Sequence, residues 1–81
     1  MGVIVAKPKG SGANLVKEFA VGTVDGVNKN FETTQNYFPN TLTVFLNGLR
    51  ERYITETGGK TFQFDEAPLS GMFIDVEYIR Y

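Results

Sequence analysis

The chain carries few side chains suited to covalent chemistry. Its 81 residues include no cysteine and no histidine, which removes any disulfide framework, the usual zinc ligand sets and the commonest general base. Nucleophilic catalysis needs a hydroxyl or thiol, a base to activate it and a group to orient that base. Ser11 lies in a glycine-rich segment and Ser70 stands beside Gly71, with no histidine to pair with either. Two carboxylate pairs remain as candidates for acid and base work or for calcium, Asp65 with Glu66 and Asp75 with Glu77. Asp75 and Glu77 fall on one face of a strand, with Cα atoms about 6.6 Å apart at the usual rise. Like charges so placed are either a ligand pair or a solvated face that discourages edge pairing. Asp25-Gly26-Val27-Asn28 lacks the further acidic ligands of a calcium loop and reads as a turn. The expectation is a protein without catalytic residues, cofactor or metal.

Binding chemistry is better represented. Aromatic residues make up 14% of the chain, seven Phe and four Tyr with no Trp. Phe19, Phe31, Phe62 and Phe64 suit a small core or an oligomer interface, since each ring can bury roughly 150 to 250 Å². Tyr37, Phe38, Tyr53 and Tyr81 are the candidates for a glycan-stacking platform, Tyr37 and Tyr53 first among them. Phe45 with Arg50 and Arg52 forms either an anion or interface patch or a solvated strand face. Eight Lys and Arg against nine Asp and Glu give a net charge of −1, too balanced for nucleic acid or an anionic membrane to be the main partner. The distribution is uneven, however. Lys7, Lys9 and Lys17 are the only charged side chains up to residue 17, and the rest of the chain sets five positive side chains against nine negative ones. This asymmetry separates a basic arm from an acidic body.

Lys7-Pro8-Lys9-Gly10-Ser11-Gly12-Ala13-Asn14 disfavours both helix and paired strand. Fully extended, such a linker spans on the order of 26 Å, enough to deliver Met1 to Ala6 onto a neighbouring molecule. Val3, Ile4 and Val5 would add a short strand there, with Lys7 and Lys9 meeting acidic surface; the alternative is a disordered terminus. Val3-Ile4-Val5-Ala6 is far shorter than a secretory hydrophobic region, and no stretch approaches the roughly eighteen apolar residues of a membrane span. Synthesis in the cytoplasm without a signal peptide is therefore expected.

From Glu18 onward, short β-type runs alternate with turn clusters. Six runs are expected: around Phe19 and Val21, Phe31 to Thr34, Thr41 to Leu46, Arg50 to Thr55, Thr61 to Phe64, and Met72 to Tyr81. In the last, Met72, Ile74, Val76 and Tyr78 alternate with Asp75 and Glu77 at a period of two. Asn47-Gly48 supplies the two positive-φ positions of a type I′ hairpin turn. A two-residue loop pairs Leu46 with Leu49, Val44 with Glu51 and Leu42 with Tyr53 on an inner face. It pairs Phe45 with Arg50, Thr43 with Arg52 and Thr41 with Ile54 on the outer one. The pattern predicts an all-β fold, a small antiparallel β-sandwich or barrel of about six strands over residues 17–81, behind an extended basic arm over residues 1–16.

Between about Phe19 and Tyr78 the sequence resembles a small β module of virion structural proteins of tailed bacteriophages, tail fibre and head decoration components among them. The residues that carry the resemblance are Gly26-Val27-Asn28-Lys29-Asn30-Phe31-Glu32-Thr33, Pro39 to Arg50, Tyr53, Thr61 to Pro68, Gly71 and Ile74-Asp75-Val76-Glu77-Tyr78. They are turn and core residues, so they bear on fold more than on role. Glu51-Arg52-Tyr53 departs from the family pattern, in which a Gly-x-Asp usually precedes the tyrosine. Most relatives also embed the module in a longer chain. The resemblance implies a virion protein, a capsid decoration or small head or tail attachment component. It implies a homo-oligomer, a trimer by analogy, with capsid or tail proteins as partners; the arm outside the matched residues would reach them through Val3, Ile4, Val5, Lys7 and Lys9. A receptor- or glycan-binding module of a tail appendage is the alternative.

Overall fold

A computed structural model describes residues 14–81 of the protein, so the arm residues Val3, Ile4, Val5, Lys7 and Lys9 lie outside the described residues. The described residues form seven β-strands: β1 (Leu15–Phe19), β2 (Asn30–Glu32), β3 (Thr43–Leu46), β4 (Leu49–Glu51), β5 (Ile54–Glu56), β6 (Thr61–Phe64) and β7 (Ile74–Ile79). All pairs are antiparallel, in a four-stranded sheet of order β1-β7-β3-β4 and a three-stranded sheet of order β2-β6-β5. The all-β expectation therefore holds.

Alternation decides which side chains turn inward. On β7, Ile74, Val76 and Tyr78 are buried while Asp75 and Glu77 face the other way. They join Val44 of β3 and the rings of Phe31, Phe62 and Phe64 from the three-stranded sheet in one core, which places the two sheets face to face. Phe31 meets Phe64 edge-on with centroids 5.4 Å apart, and Phe62 lies 5.9 Å from Phe64, the geometry that the ring quadrupole favours. Gly22, at φ 149°, passes directly under the Phe31 ring, where a Cβ would clash with it.

The margins of the sandwich are stitched. At one, Val21 and Glu32 exchange two backbone hydrogen bonds of 2.7 and 2.9 Å, tying the exit of β1 to β2. At the other, β4 and β5 run in the same direction, separated only by Arg52 and Tyr53. The expected fourth run is thus one length of chain that leaves β3 and crosses to β6, which makes two strands of it. As a result Leu42 does not pair with Tyr53, nor Thr43 with Arg52; the hairpin register holds at Val44–Glu51, Phe45–Arg50 and Leu46–Leu49. Asn47 and Gly48 take φ values of 51° and 85°, as a type I′ turn requires.

Two side-chain placements differ from expectation. Leu49 and Tyr53, expected on the inner face, are 76% and 71% exposed; Leu49 stands beside the hairpin turn and Tyr53 in the link between β4 and β5, outside any strand. The body also begins earlier than residue 17: Leu15 and Val16 pair with Ile79 and Tyr78, a long-range match that the local sequence does not encode.

Candidate functional site

The register across the four-stranded sheet sets side chains from all four strands in one row on its outer face. Phe19 of β1 pairs with Asp75 of β7, Asp75 with Phe45 of β3, and Phe45 with Arg50 of β4. Residues directly opposite one another in adjacent strands project from the same face, so the row reads Phe19, Asp75, Phe45, Arg50. A second row sets Lys17 against Glu77 and Glu77 against Thr43. The Lys17 Nζ and a Glu77 carboxylate oxygen are 4.0 Å apart.

These rows bound an open groove of about 650 Å³ lined by Phe19, Phe45, Asp75, Lys17 and Glu77, with Gly48 at the hairpin end. Phe19 is 69% exposed. Phenyl rings two strands apart stand roughly 10 Å from each other, and Asp75 forms the floor between them. An anionic floor between two aromatic walls favours a cationic, partly apolar group, because the ring faces and the carboxylate attract the same charge. The four-stranded sheet is the first candidate for a binding face.

Of the residues singled out in the sequence, Phe45 and Arg50 are brought together, whereas Arg52 sits beyond the end of β4 and lines a separate groove with Arg50, Thr43 and Glu51. Asp75 and Glu77 do share a face. Among the described residues no three His, Cys, Asp or Glu side chains converge as a metal site would need. Tyr37 does not belong to a surface platform. It is 2% exposed, its ring packs against Tyr78 at 6.0 Å, and its hydroxyl donates to the Thr61 carbonyl at 2.7 Å. Burial and the nearby Glu56 charge push its phenol up to about 12. A glycan platform of Tyr37 with Tyr53 is thereby ruled out, because Tyr37 has no free ring face. Tyr53 is left with Glu51, Asp65 and Glu66 around a shallow pocket.

The side-chain bonds of two polar residues, Glu18 and Asn47, which the local sequence does not reveal, organise the site. Glu18 sits on the core-facing side of β1, and its carboxylate accepts bonds from Tyr78 Oη at 2.8 Å, Thr34 N at 2.9 Å and Thr34 Oγ1 at 2.7 Å. Partial burial works to raise its pKa, but the hydrogen bonds outweigh burial and hold the carboxyl below its ordinary value. Glu18 thus anchors the strand whose next residue is Phe19. Asn47 exchanges bonds with the backbone of Phe73, N to O and N to Oδ1, both 2.9 Å, which fixes the hairpin tip against the entry of β7. Neither partner is local in sequence; only the strand alternation of Glu18 and the positive φ of Asn47 hint at them.

No helix among the described residues is long and apolar enough to cross a membrane. No family model matches the chain, and no curated protein or solved structure matches it either.

Proposed function

We propose that the protein is a structural component of a bacteriophage virion, a capsid decoration or small head or tail attachment protein, that works by adhesion and without catalysis. The single observation that supports this reading is the outer face of the four-stranded sheet, where exposed Phe19 and half-buried Phe45 alternate with charged residues. Aromatic anchors and arginine set among polar neighbours are the composition of protein contact surfaces. The resemblance of residues 19–78 to virion β modules supplies the particle. The absence of histidine and cysteine removes the commonest general base and the thiol nucleophile.

In this reading the body adheres through its sheet faces, and Val3, Ile4 and Val5 add a strand to a neighbouring sheet while Lys7 and Lys9 meet acidic groups. Adhesion suits a domain of this size. At about 0.05 to 0.15 kcal/mol per residue its own stability is roughly 4 to 12 kcal/mol, so contacts with neighbours contribute a comparable amount. The test is quantitative immunoblotting of purified particles of the phage that encodes the chain. Many copies per particle are expected, with fewer retained when residues 1–14 are deleted. Particles that contain none of the protein overturn the reading.

Glycan binding, the alternative, keeps one favourable observation, exposed Tyr53 among Glu51, Asp65 and Glu66. It predicts saturable sugar binding that Tyr53→Ala abolishes, and a blank glycan array at millimolar sugar removes it.

A further inference from the structure

The row Arg50, Phe45, Asp75, Phe19 is complementary to itself. Strand positions are evenly spaced, at roughly 4.8 Å. A two-fold axis that lies between two copies and runs along β3 therefore sets Phe45 against its own symmetry mate. It carries Arg50, one strand to one side of β3, to the position of Asp75, one strand to the other. Among the described residues Arg50 and Asp75 each lack an opposite charge at ion-pairing distance, whereas Lys17 already has Glu77. Beside Asp75 lies the groove between Phe45 and Phe19, open to a guanidinium. Arginine is the cation that stacks on aromatic faces while bonding a carboxylate.

We propose that a second copy of this chain docks on the outer face of the four-stranded sheet about such a two-fold axis. The Arg50 of each copy enters the groove between Phe19 and Phe45 of the other and meets Asp75. The contact is isologous, so its two halves form together and the pair closes without leaving the same face free to polymerise. This deepens the adhesive reading above, and it rests on that reading together with the homo-oligomer that the resemblance implies. It gives a pair where family analogy led to the expectation of a trimer.

The face is small for an interface. Four strands of about five residues cover on the order of 300 Å² per copy, well under the roughly 800 Å² per partner of a standard interface. An interface of that size belongs with weak, transient contacts, and it is populated where many copies are held close together.

Sedimentation equilibrium on the full chain, from about 10 µM to 1 mM, tests this. The wild type should pass from monomer to dimer across the range. Arg50→Asp and Asp75→Arg alone should each weaken the dimer at least about tenfold, since each sets like charges together. An equimolar mixture of those two variants should recover wild-type affinity, because in the mixed pair both contacts again join opposite charges; this recovery also shows that neither variant has lost its fold. Phe19→Ala removes one wall of the groove and should weaken the dimer with circular dichroism unchanged. A wild type that stays monomeric throughout overturns both the face and the expectation of a homo-oligomer. An oligomer indifferent to all three variants overturns the face alone and leaves self-association to another surface. Failure of the mixture to recover affinity overturns the reciprocal contact.

Discussion

Glu18 combines charge, hydrogen bonding and position in one side chain, and its titration is a direct probe of the fold. A carboxyl pKa held below the ordinary 4.5 means that the folded state favours the ionised form. The stabilisation is complete above the ordinary value and fades as the pH falls through the lower folded one. Glu18→Gln keeps one acceptor oxygen for Tyr78 Oη and Thr34 N, turns the other into an amide donor facing Thr34 Oγ1 and loses the charge, so it should cost about 1 kcal/mol at pH 7, a charge-assisted bond discounted for partial exposure. Urea unfolding of both proteins at pH 7 and pH 3 checks this, and the gap should narrow at the lower pH. Tyr37 gives the opposite sign. Its phenol is raised to about 12, so its contribution is full below the ordinary value of 10 and disappears as the pH rises through the folded value. Tyr37→Phe should reduce stability at pH 7 by about 1 kcal/mol, the net worth of the hydrogen bond to Thr61. It should also flatten the decline above pH 10, read by thermal unfolding across that range.

At the scale of elements, the β3–β4 hairpin shows how far local rules reach. Asn47-Gly48 between apolar runs dictated a two-residue turn, and the observed register and both positive φ values agree. The turn residue also does more than turn chemistry requires, since the Asn47 side chain accepts from Phe73 N. Asn47→Ala removes that bond and forces an alanine to φ near 51°, so it should cost about 2 kcal/mol, whereas Asn47→Gly loses only the bond and should cost about 1 kcal/mol. Denaturant midpoints of the two variants separate backbone strain from the side-chain contact. The period-two pattern of residues 72–79 likewise identified its buried face correctly. Three features were not legible: the start of β1 at Leu15, the crossing at Arg52 and Tyr53, and the core-side placement of Glu18. The first and third depend on pairing with β7, more than fifty positions away; the crossing depends on Ile54–Glu56 pairing with β6 rather than continuing beside β3, and no local pattern reports which of two sheets a strand will join. The candidate face was half legible for the same reason. Phe45 and Arg50 are hairpin neighbours, but Asp75 and Phe19 reach the row only through β7 and β1 pairing.

For the molecule as a whole, aromatic residues of one type divide into two roles by sheet face, and the division has measurable consequences. Phe62 is fully buried between the sheets, and Phe62→Ala should cost about 3 to 5 kcal/mol, a large fraction of the roughly 4 to 12 kcal/mol available to a chain of this size. Phe19 is mostly exposed and touches no core residue of the opposing sheet, so Phe19→Ala should change the stability of dilute protein by less than about 0.5 kcal/mol. The two replacements also differ in their response to concentration. Binding of a folded partner stabilises the native state by mass action, so if the outer face pairs two copies, the urea midpoint of the wild type should rise between 10 µM and 1 mM protein. Phe62→Ala would lower that curve at every concentration and keep its slope. Phe19→Ala would leave its dilute end in place and remove the rise. A core residue and an interface residue are thus separated by thermodynamics alone, although composition gave both the same reading.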